Sequence, residues 1–266
     1  MSMTRALSIA STGLKVFEKF LDVKAANLAG NGVDGFKSMY AVATDLPSEN
    51  EILPGVPTSE GGTIRPIGYQ VGLGSKIVGT YRDFSKGTLI NTGNALDIAI
   101  DGAGFFKVVL PDGSEAFTRT SALRTNAEGM IVTPEEGHII SPGIQVPNNA
   151  LSMEVSPEGH VSILVNGQSN AQILGQFETS TFINPSGLRS LGNGMYSQTD
   201  ASGTPITGAP GSEGRGSLQA GFREGSNVNS VKEITDLIKI EKGFGFLTKI
   251  LNIADSMADS MKGIGR

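Results

Sequence analysis

The chain has 266 residues, of which 38% are apolar, and a formal net charge of −5 at pH 7. It contains no cysteine, which excludes disulfides, thiolate metal sites and cysteine nucleophiles. No cluster of lysine and arginine is long enough to follow a phosphate backbone, and no apolar stretch reaches the ~18 residues of a membrane span, so we expect neither nucleic-acid binding nor membrane insertion.

The N-terminal segment, residues 1–36, is predicted to contain an amphipathic helix. Its apolar residues recur with a spacing of seven at Leu7, Leu14, Leu21 and Leu28, and Ala10 and Phe17 occupy the positions three residues after the first two. This spacing is typical of the a and d positions of a coiled coil. We therefore interpret residues 1–36 as an N-terminal assembly helix.

The C-terminal segment, residues 228–266, has the same kind of repeat. The positions are Leu237, Ile240, Phe244, Leu247, Leu251, Ala254, Ala258 and Met261. Ser230 and Glu233 have the spacing of a capping box at the start of a helix. Gly243 and Gly245 lie inside the predicted helix, where each costs roughly 1 kcal/mol relative to alanine. Such glycines produce a kink or allow close approach of another helix.

The middle of the chain is predicted to be mainly β. Residues 37–89 are rich in proline and glycine and are interpreted as an extended arm and linker. Residues 90–200 combine alternating apolar segments with turn signals such as Pro111-Asp112-Gly113, which indicates a β-domain of hairpins. Residues 201–227 are small and polar and suit a return connector. The predicted fold class is thus α+β, with two long terminal helices forming a coiled-coil-like pair.

Terminal helices with an apolar face need a surface on which to bury it. If two such helices pair, apolar surface remains, and neighbouring subunits are a natural place to bury it. A contact repeated head to tail without closure gives a helical filament. The same periodicity also fits terminal helices that pack on the core of their own domain, and periodicity alone does not separate the two.

Residues that could carry chemistry are sparse. His138 and His160 have no further ligand at metal-binding spacing, and we assign them structural or surface roles. Gly102-Ala103-Gly104 precedes a predicted strand, whereas a nucleotide-binding fingerprint follows one, so it is interpreted as a turn. The carboxylates near residues 97–115 suit strand edges and turns. We predict no catalytic residue, no metal and no cofactor.

Short motifs along the whole chain resemble, in order, those of bacterial flagellar rod and hook axial proteins. Near the N-terminus they are Arg5-Ala6-Leu7, Thr12-Gly13-Leu14, Leu21-Asp22-Val23, Asn27-Leu28-Ala29 and Gly35-Phe36-Lys37. In the middle they are Gly87-Thr88-Leu89, Thr92–Asp97, Gly102–Phe106 and Phe117-Thr118-Arg119. Phe182–Leu188, Ser226–Asn229 and the length resemble distal rod members in particular. The sequence departs from the family pattern at Lys24-Ala25-Ala26 and at residues 241–245.

The resemblance implies a structural subunit of the distal rod, which self-assembles into a hollow helical drive shaft and transmits torque from motor to hook. It implies as partners further copies of the chain, adjacent rod and hook proteins, the peptidoglycan-ring and outer-membrane-ring proteins that act as a bushing, and the flagellar type III export apparatus. The location would be the periplasmic rod of the basal body, reached without a cleaved signal peptide.

The assembly interface is predicted from the two apolar repeats together with one residue of the N-terminal signature. It comprises Leu7, Leu14, Phe17, Leu21, Asn27, Leu28, Leu237, Ile240, Phe244, Leu247, Leu251, Ala254 and Met261. Two other functions stay open at this point. One is a proximal rod or hook-type axial protein, and the other is a periplasmic β-domain that binds a ligand.

Overall fold

A computed structural model of the chain describes residues 2–55, 66–166 and 170–264. The chain divides into two units. The first consists of Met1–Ala26, Tyr40–Thr80 and Val231–Arg266, and the second of Asn27–Met39 and Tyr81–Ser230. The five segments predicted from the sequence remain a prediction.

The described residues form two α-helices, one near each end of the chain. Helix α1 spans Ser2–Ala29 and is followed by a 3-10 turn at Gly30–Gly32. Helix α2 spans Ser230–Ile264. Gly30 follows α1 because the ring of Phe36 packs against it and leaves no room for a Cβ atom.

The predicted coiled-coil pair of helices is wrong. Three of the predicted seam residues are exposed, namely Leu21 (46%), Leu28 (37%) and Phe244 (45%). Among the described side chains of α1, the buried ones are Ala10, which belongs to the predicted seam, and Val16, Val23 and Asn27, which do not. Val16 and Val23 also have a spacing of seven but follow Leu14 and Leu21 by two residues, which is about 200° around the helix.

The strands of the first unit form two antiparallel ribbons. In one, β1 (Met39–Asp45) pairs with β4 (Ser75–Arg82), and in the other, β2 (Ser48–Ile52) pairs with β3 (Tyr69–Gly72). The β2–β3 ribbon is exposed along nearly its whole length. Residues 56–65 of the predicted arm and linker (37–89) lie outside the described residues.

The second unit contains sixteen strands in its described part. They are β5 (Leu89–Asn91), β6 (Ile98–Asp101), β7 (Phe105–Val109), β8 (Glu115–Thr118), β9 (Arg124–Thr125), β10 (Ile131–Val132), β11 (Ile139–Ile140), β12 (Ala150–Val155), β13 (His160–Val165), β14 (Gln172–Gln176), β15 (Thr179–Thr181), β16 (Arg189–Gly192), β17 (Met195–Ser197), β18 (Ile206–Gly208), β19 (Ser217–Ala220) and β20 (Phe222–Glu224). Nine of them form one sheet in the order β16-β17-β8-β7-β11-β10-β9, with β15 joining β7 and β18 joining β15. The others form a β12-β13-β14 sheet and the pairs β6–β19 and β5–β20.

The core of this unit lies on both sides of β7. Phe106 and Val108 pack with aliphatic residues such as Leu123 and Ile140 in the larger of two clusters. Phe105, on the opposite face, joins the second cluster of Phe117, Phe182, Leu188 and Tyr196. Rings in this second cluster meet edge to face, for example Phe117 and Phe182 with centroids 4.8 Å apart. Consecutive residues of one strand thus enter different clusters, which holds the sheet from both faces.

Gly87 lies where two segments of this unit cross. A Cβ atom at Gly87 would collide with the carbonyl oxygen of Gly225. We expect Gly87→Ala to destabilise the unit by about 1–3 kcal/mol, because a backbone carbonyl cannot turn aside as a side chain does. Gly79→Ala is the control, since nothing lies within 4 Å of its Cβ position. Chemical denaturation followed by near-UV circular dichroism measures both, and equal midpoints would contradict the prediction.

Candidate assembly surfaces and the buried polar junction

Three charged side chains are buried together in the second unit. The Lys37 side chain is 0% exposed and that of Glu224 1%. Lys37 Nζ donates to Glu224 Oε1 at 2.7 Å, while Arg119 binds both carboxylate oxygens, with Nε and NH2 each 2.9 Å away. The three residues come from distant parts of the chain. The cluster therefore joins three segments of the second unit, one around Lys37, one around Arg119 and one around Glu224. We call this cluster the polar junction.

The remaining polar atoms of the junction also have partners. Lys37 Nζ donates to the Ser85 carbonyl at 2.7 Å, and Arg119 NH1 donates to the carbonyls of Gly102 and Gly104 at 2.8 and 2.6 Å. The backbone N–H of Gly87 donates to Glu224 Oε1 at 2.9 Å. The cluster holds two cations and one anion, and the three carbonyl oxygens supply the further acceptors that the excess positive charge needs in a buried site.

The protonation of the junction follows from its burial. Burial raises the pKa of Glu224, but the charges of Arg119 and Lys37 outweigh this, and the pKa lies below its ordinary value. Burial lowers the pKa of Lys37, and the nearby Arg119 charge lowers it further, although Glu224 partly offsets both. Because the folded-state pKa of Glu224 is depressed, its contribution to stability is present at neutral pH and is lost as the pH falls through that pKa.

Two asparagines attach neighbouring segments to this unit. Asn27 donates from Nδ2 to the Met39 carbonyl at 2.8 Å and accepts from the Met39 N–H at 2.7 Å. Its side-chain amide thus makes the same two hydrogen bonds with Met39 that the backbone of a neighbouring β-strand would make. Asn227 accepts from the Ser38 N–H at 2.8 Å and donates to the Asp83 carbonyl at 2.8 Å. Asn27 was predicted as an interface residue, but its side chain is fully buried and binds within its own chain.

Asp97 organises a second polar cluster beside β5 and β6. Its carboxylate accepts from Arg223 Nε at 2.8 Å and from the Thr92 hydroxyl at 2.6 Å. Arg124 NH1 lies 3.3 Å from Asp97 Oδ1. Burial raises the pKa of Asp97, yet the hydrogen bonds from Thr92 and Arg223 keep it below the ordinary value. Asp97 is therefore a buried structural anion rather than a candidate general base.

The predicted residues of α1 do not form one surface. Asn27 is buried, Leu7, Leu14 and Phe17 are partly buried, and Leu21 and Leu28 are exposed. Charged residues share the exposed side of the helix, where Lys19 Nζ lies 2.9 Å from Asp22 Oδ2.

The predicted residues of α2 mostly share one protected face. Ile240 and Ala254 are buried and Leu237, Leu247 and Leu251 partly buried, whereas Phe244 is exposed. Met261 lies within α2, but its side chain is outside the described residues.

Helix α2 has a second apolar face that the sequence analysis missed. These residues are exposed and lie away from Ile240, spread over about 160° of the helix circumference, with Ile250 nearest to the protected face at about 40° from Ala254. They are Val231, Ile234, Ile238, Phe246, Ile250, Ile253 and Met257, and we call them the outer stripe. Their spacings of three, four and eight were visible in the sequence, but the longer interruption around Lys242 hid the pattern. A helix that is apolar on two faces is typical of one that packs on both.

Helices α1 and α2 contact each other at separate points within the first unit. Lys24 Nζ lies 3.1 Å from Glu233 Oε2 and 3.0 Å from Asp236 Oδ2. Phe17 points at Gly243, and Leu247 points at Gly13. These are point contacts of large side chains and not the continuous seam of a coiled coil.

Within residues 2–55, 66–166 and 170–264, no group of three or more histidines, aspartates or glutamates is placed to hold a metal ion. His138 Nε2 lies 2.6 Å from Glu136 Oε2, and the other carboxylate oxygen of Glu136 accepts a hydrogen bond from Asn193 Nδ2. Among the same residues, neither helix combines the length and the apolarity of a membrane span. A β unit with buried ion clusters, together with a helix that has an exposed apolar face, is typical of the class of structural proteins that associate through their surfaces.

Comparison with known proteins names the family. The model of the flagellar hook protein FlgE/F/G D1 domain matches residues 99–163, and that of the flagellar basal body rod FlgEFG protein C-terminal region matches residues 219–264. The flagellar basal-body rod protein FlgG of Agrobacterium fabrum is 37% identical over 254 residues, covering 96% of this chain and 97% of that protein. The FlgG protein of Bacillus subtilis is 33% identical over 269 residues, covering 99% and 100%.

The chain belongs to the flagellar basal-body rod protein family. It is thus a structural subunit of the rod in the flagellar basal body and not an enzyme, as the sequence motifs predicted. Membership also implies self-assembly together with other flagellar components.

Proposed function

We propose that the chain is a subunit of the distal rod, where copies of it form a hollow helical shaft that transmits torque from motor to hook. The observation that carries this proposal is the outer stripe of α2. Large apolar side chains along one face of a helix are costly in water, and burying them in a subunit contact removes that cost.

The occupant of the outer stripe is proposed to be a second copy of the same chain. Helix α1 exposes Leu21 and Leu28, which offer a matching apolar surface. A contact between two different surfaces of one subunit does not close on itself by two-fold symmetry. It propagates either into a ring or into an open helical array. The second outcome is the geometry that a rod requires.

The β2–β3 ribbon is proposed to add a further contact between subunits. A two-stranded ribbon is marginally stable by itself, and this one has little burial within its own chain. It is attached to α1 by Arg5, which pairs with Glu51 at 2.6 Å and Glu49 at 3.3 Å. Such exposed pairs contribute little stability, so contact with a neighbouring copy would be the main source of order.

The same proposal includes specific partner proteins and a specific cellular location. We propose that the rod is periplasmic, that the subunit leaves the cytoplasm through the flagellar type III export apparatus without signal cleavage, and that it contacts adjacent rod and hook proteins. The peptidoglycan-ring and outer-membrane-ring proteins would surround the shaft as a bushing.

Isolated basal bodies provide the test. A small epitope inserted at the exposed turn Asp112-Gly113 and labelled with gold is expected to mark the rod segment next to the hook. Labelling confined to the segment next to the motor would favour the proximal rod instead, and labelling of the hook would favour a hook-type protein. The intact mass of the subunit extracted from these rods should equal that of the whole translated chain, and a shorter N-terminus would contradict export without cleavage.

A further inference from the structure

Two glycines receive large side chains where α1 and α2 meet. The ring of Phe17 points end-on at Gly243, so that a Cβ there would lie 2.7 Å from Phe17 Cζ and 3.1 Å from Cε2. In the reverse direction, a Cβ at Gly13 would lie 2.9 Å from Leu247 Cδ1. Each helix thus supplies one large side chain and one glycine that accepts it.

The two contacts agree on one alignment of the helices. Phe17 follows Gly13 by four residues, and Gly243 precedes Leu247 by four, as expected for antiparallel neighbours. The ion pair of Lys24 with Asp236 continues the same alignment, because Lys24 follows Phe17 by seven residues and Asp236 precedes Gly243 by seven. Three independent contacts therefore specify a single register.

We infer that Gly243 and Gly13 determine the register of α2 along α1. A shift of α2 by one helical turn would replace Gly243 opposite Phe17 by Lys239 or Leu247. Either side chain is larger than the hydrogen atom of glycine and would collide with the ring. Of the heptad residues, Phe17 and Leu247 take part in this selection through the two glycines, whereas Leu21, Leu28 and Phe244 are exposed. The register in turn decides which side chains of α2 remain outside as the outer stripe. Gly245 has no such role, because nothing lies within 4 Å of its Cβ position.

The inference concerns one chain, so it is tested on dilute monomer and does not depend on polymerisation. The chain has no cysteine, which allows pairs to be introduced cleanly. Lys24→Cys with Asp236→Cys reports the observed register, and Lys24→Cys with Lys232→Cys reports a shift of one turn. A short bis-maleimide is expected to link the first pair about tenfold more than the second.

Gly243→Leu is expected to abolish that preference, whereas the matched Gly245→Leu keeps it within about twofold. Phe17→Ala combined with Gly243→Leu is expected to restore it, since the bulk is then supplied from the other helix. Should Gly243→Leu lose its helical circular dichroism, Gly243→Ala gives the same comparison with less added volume. Equal preference in the two leucine variants would overturn the inference, and so would failure of the double variant to restore it.

Discussion

Replacing Glu224 by glutamine is expected to destabilise the second unit by about 3–5 kcal/mol, because it leaves Lys37 and Arg119 buried without their shared anion. The shape of the side chain is almost unchanged, so loss of packing contributes little. Chemical denaturation of the full chain, followed by near-UV circular dichroism, measures the loss of stability. Hydrogen exchange should rise in the segments around residues 37 and 224 together, since neither segment can bury its charge alone.

Glu213→Gln is the matched control. Glu213 also pairs with an arginine, at 2.8 Å from Arg215 NH2, but its side chain is largely exposed. Arg215 is buried but keeps its bonds to the Ala209 carbonyl and the Ser212 hydroxyl, and water can replace the exposed carboxylate, so this variant should unfold within about 1 kcal/mol of the parent. Similar midpoints for Glu224→Gln and Glu213→Gln would refute the role of the junction.

The junction also predicts a pH dependence with a definite sign. The pKa of Glu224 is depressed in the folded chain, so acid reduces stability as the pH falls through that pKa. Glu224→Gln has no such group, and its stability should fall less steeply as the pH drops below about 4.3, the ordinary pKa of a glutamate. The two curves should therefore converge in acid.

The junction shows why sequence reasoning misses some of the most important residues. Lys37 and Arg119 fall inside motifs of the family, but their motifs gave no indication that the two meet. Glu224 lies 187 residues beyond Lys37, and charged residues are ordinarily expected at the surface. The only available signal was the apolar or small character of their neighbours, for example in Gly35-Phe36-Lys37. Pairing of distant charges depends on the fold and not on local pattern.

The helices show a different limit. Periodicity located both helices because a repeat of three and four residues is a local property. It did not identify the protected face of α1, because the leucines and the pair Val16 and Val23 have the same spacing of seven. The larger side chains of the leucines made them the expected buried residues. In the folded chain, Val16 and Val23 are buried because other segments pack on their side of the helix. In α2 the protected face coincided with the heptad except at Phe244.

A charged substitution in the outer stripe is expected to have the second large effect, a loss of polymerisation. Ile250→Asp is expected to raise the critical concentration for polymerisation at least about tenfold, since each 1.4 kcal/mol lost from a contact is a factor of ten. Ile250 is about half exposed in the single chain, so burying its remainder contributes roughly 1 kcal/mol. The introduced carboxylate adds the cost of burying an uncompensated charge. Sedimentation and electron microscopy of purified chain at rising concentration measure the effect.

Asn252→Asp introduces the same charge two residues away, at an exposed polar position outside the stripe. It separates a specific role of the stripe from a general effect of added negative charge on a chain that already carries −5. Both variants should keep the unfolding midpoint of the parent monomer, because both sites face solvent there. If Ile250→Asp polymerised like Asn252→Asp, α2 would not contribute this face to the rod, and the exposed leucines of α1 and the β2–β3 ribbon would have to carry the contact.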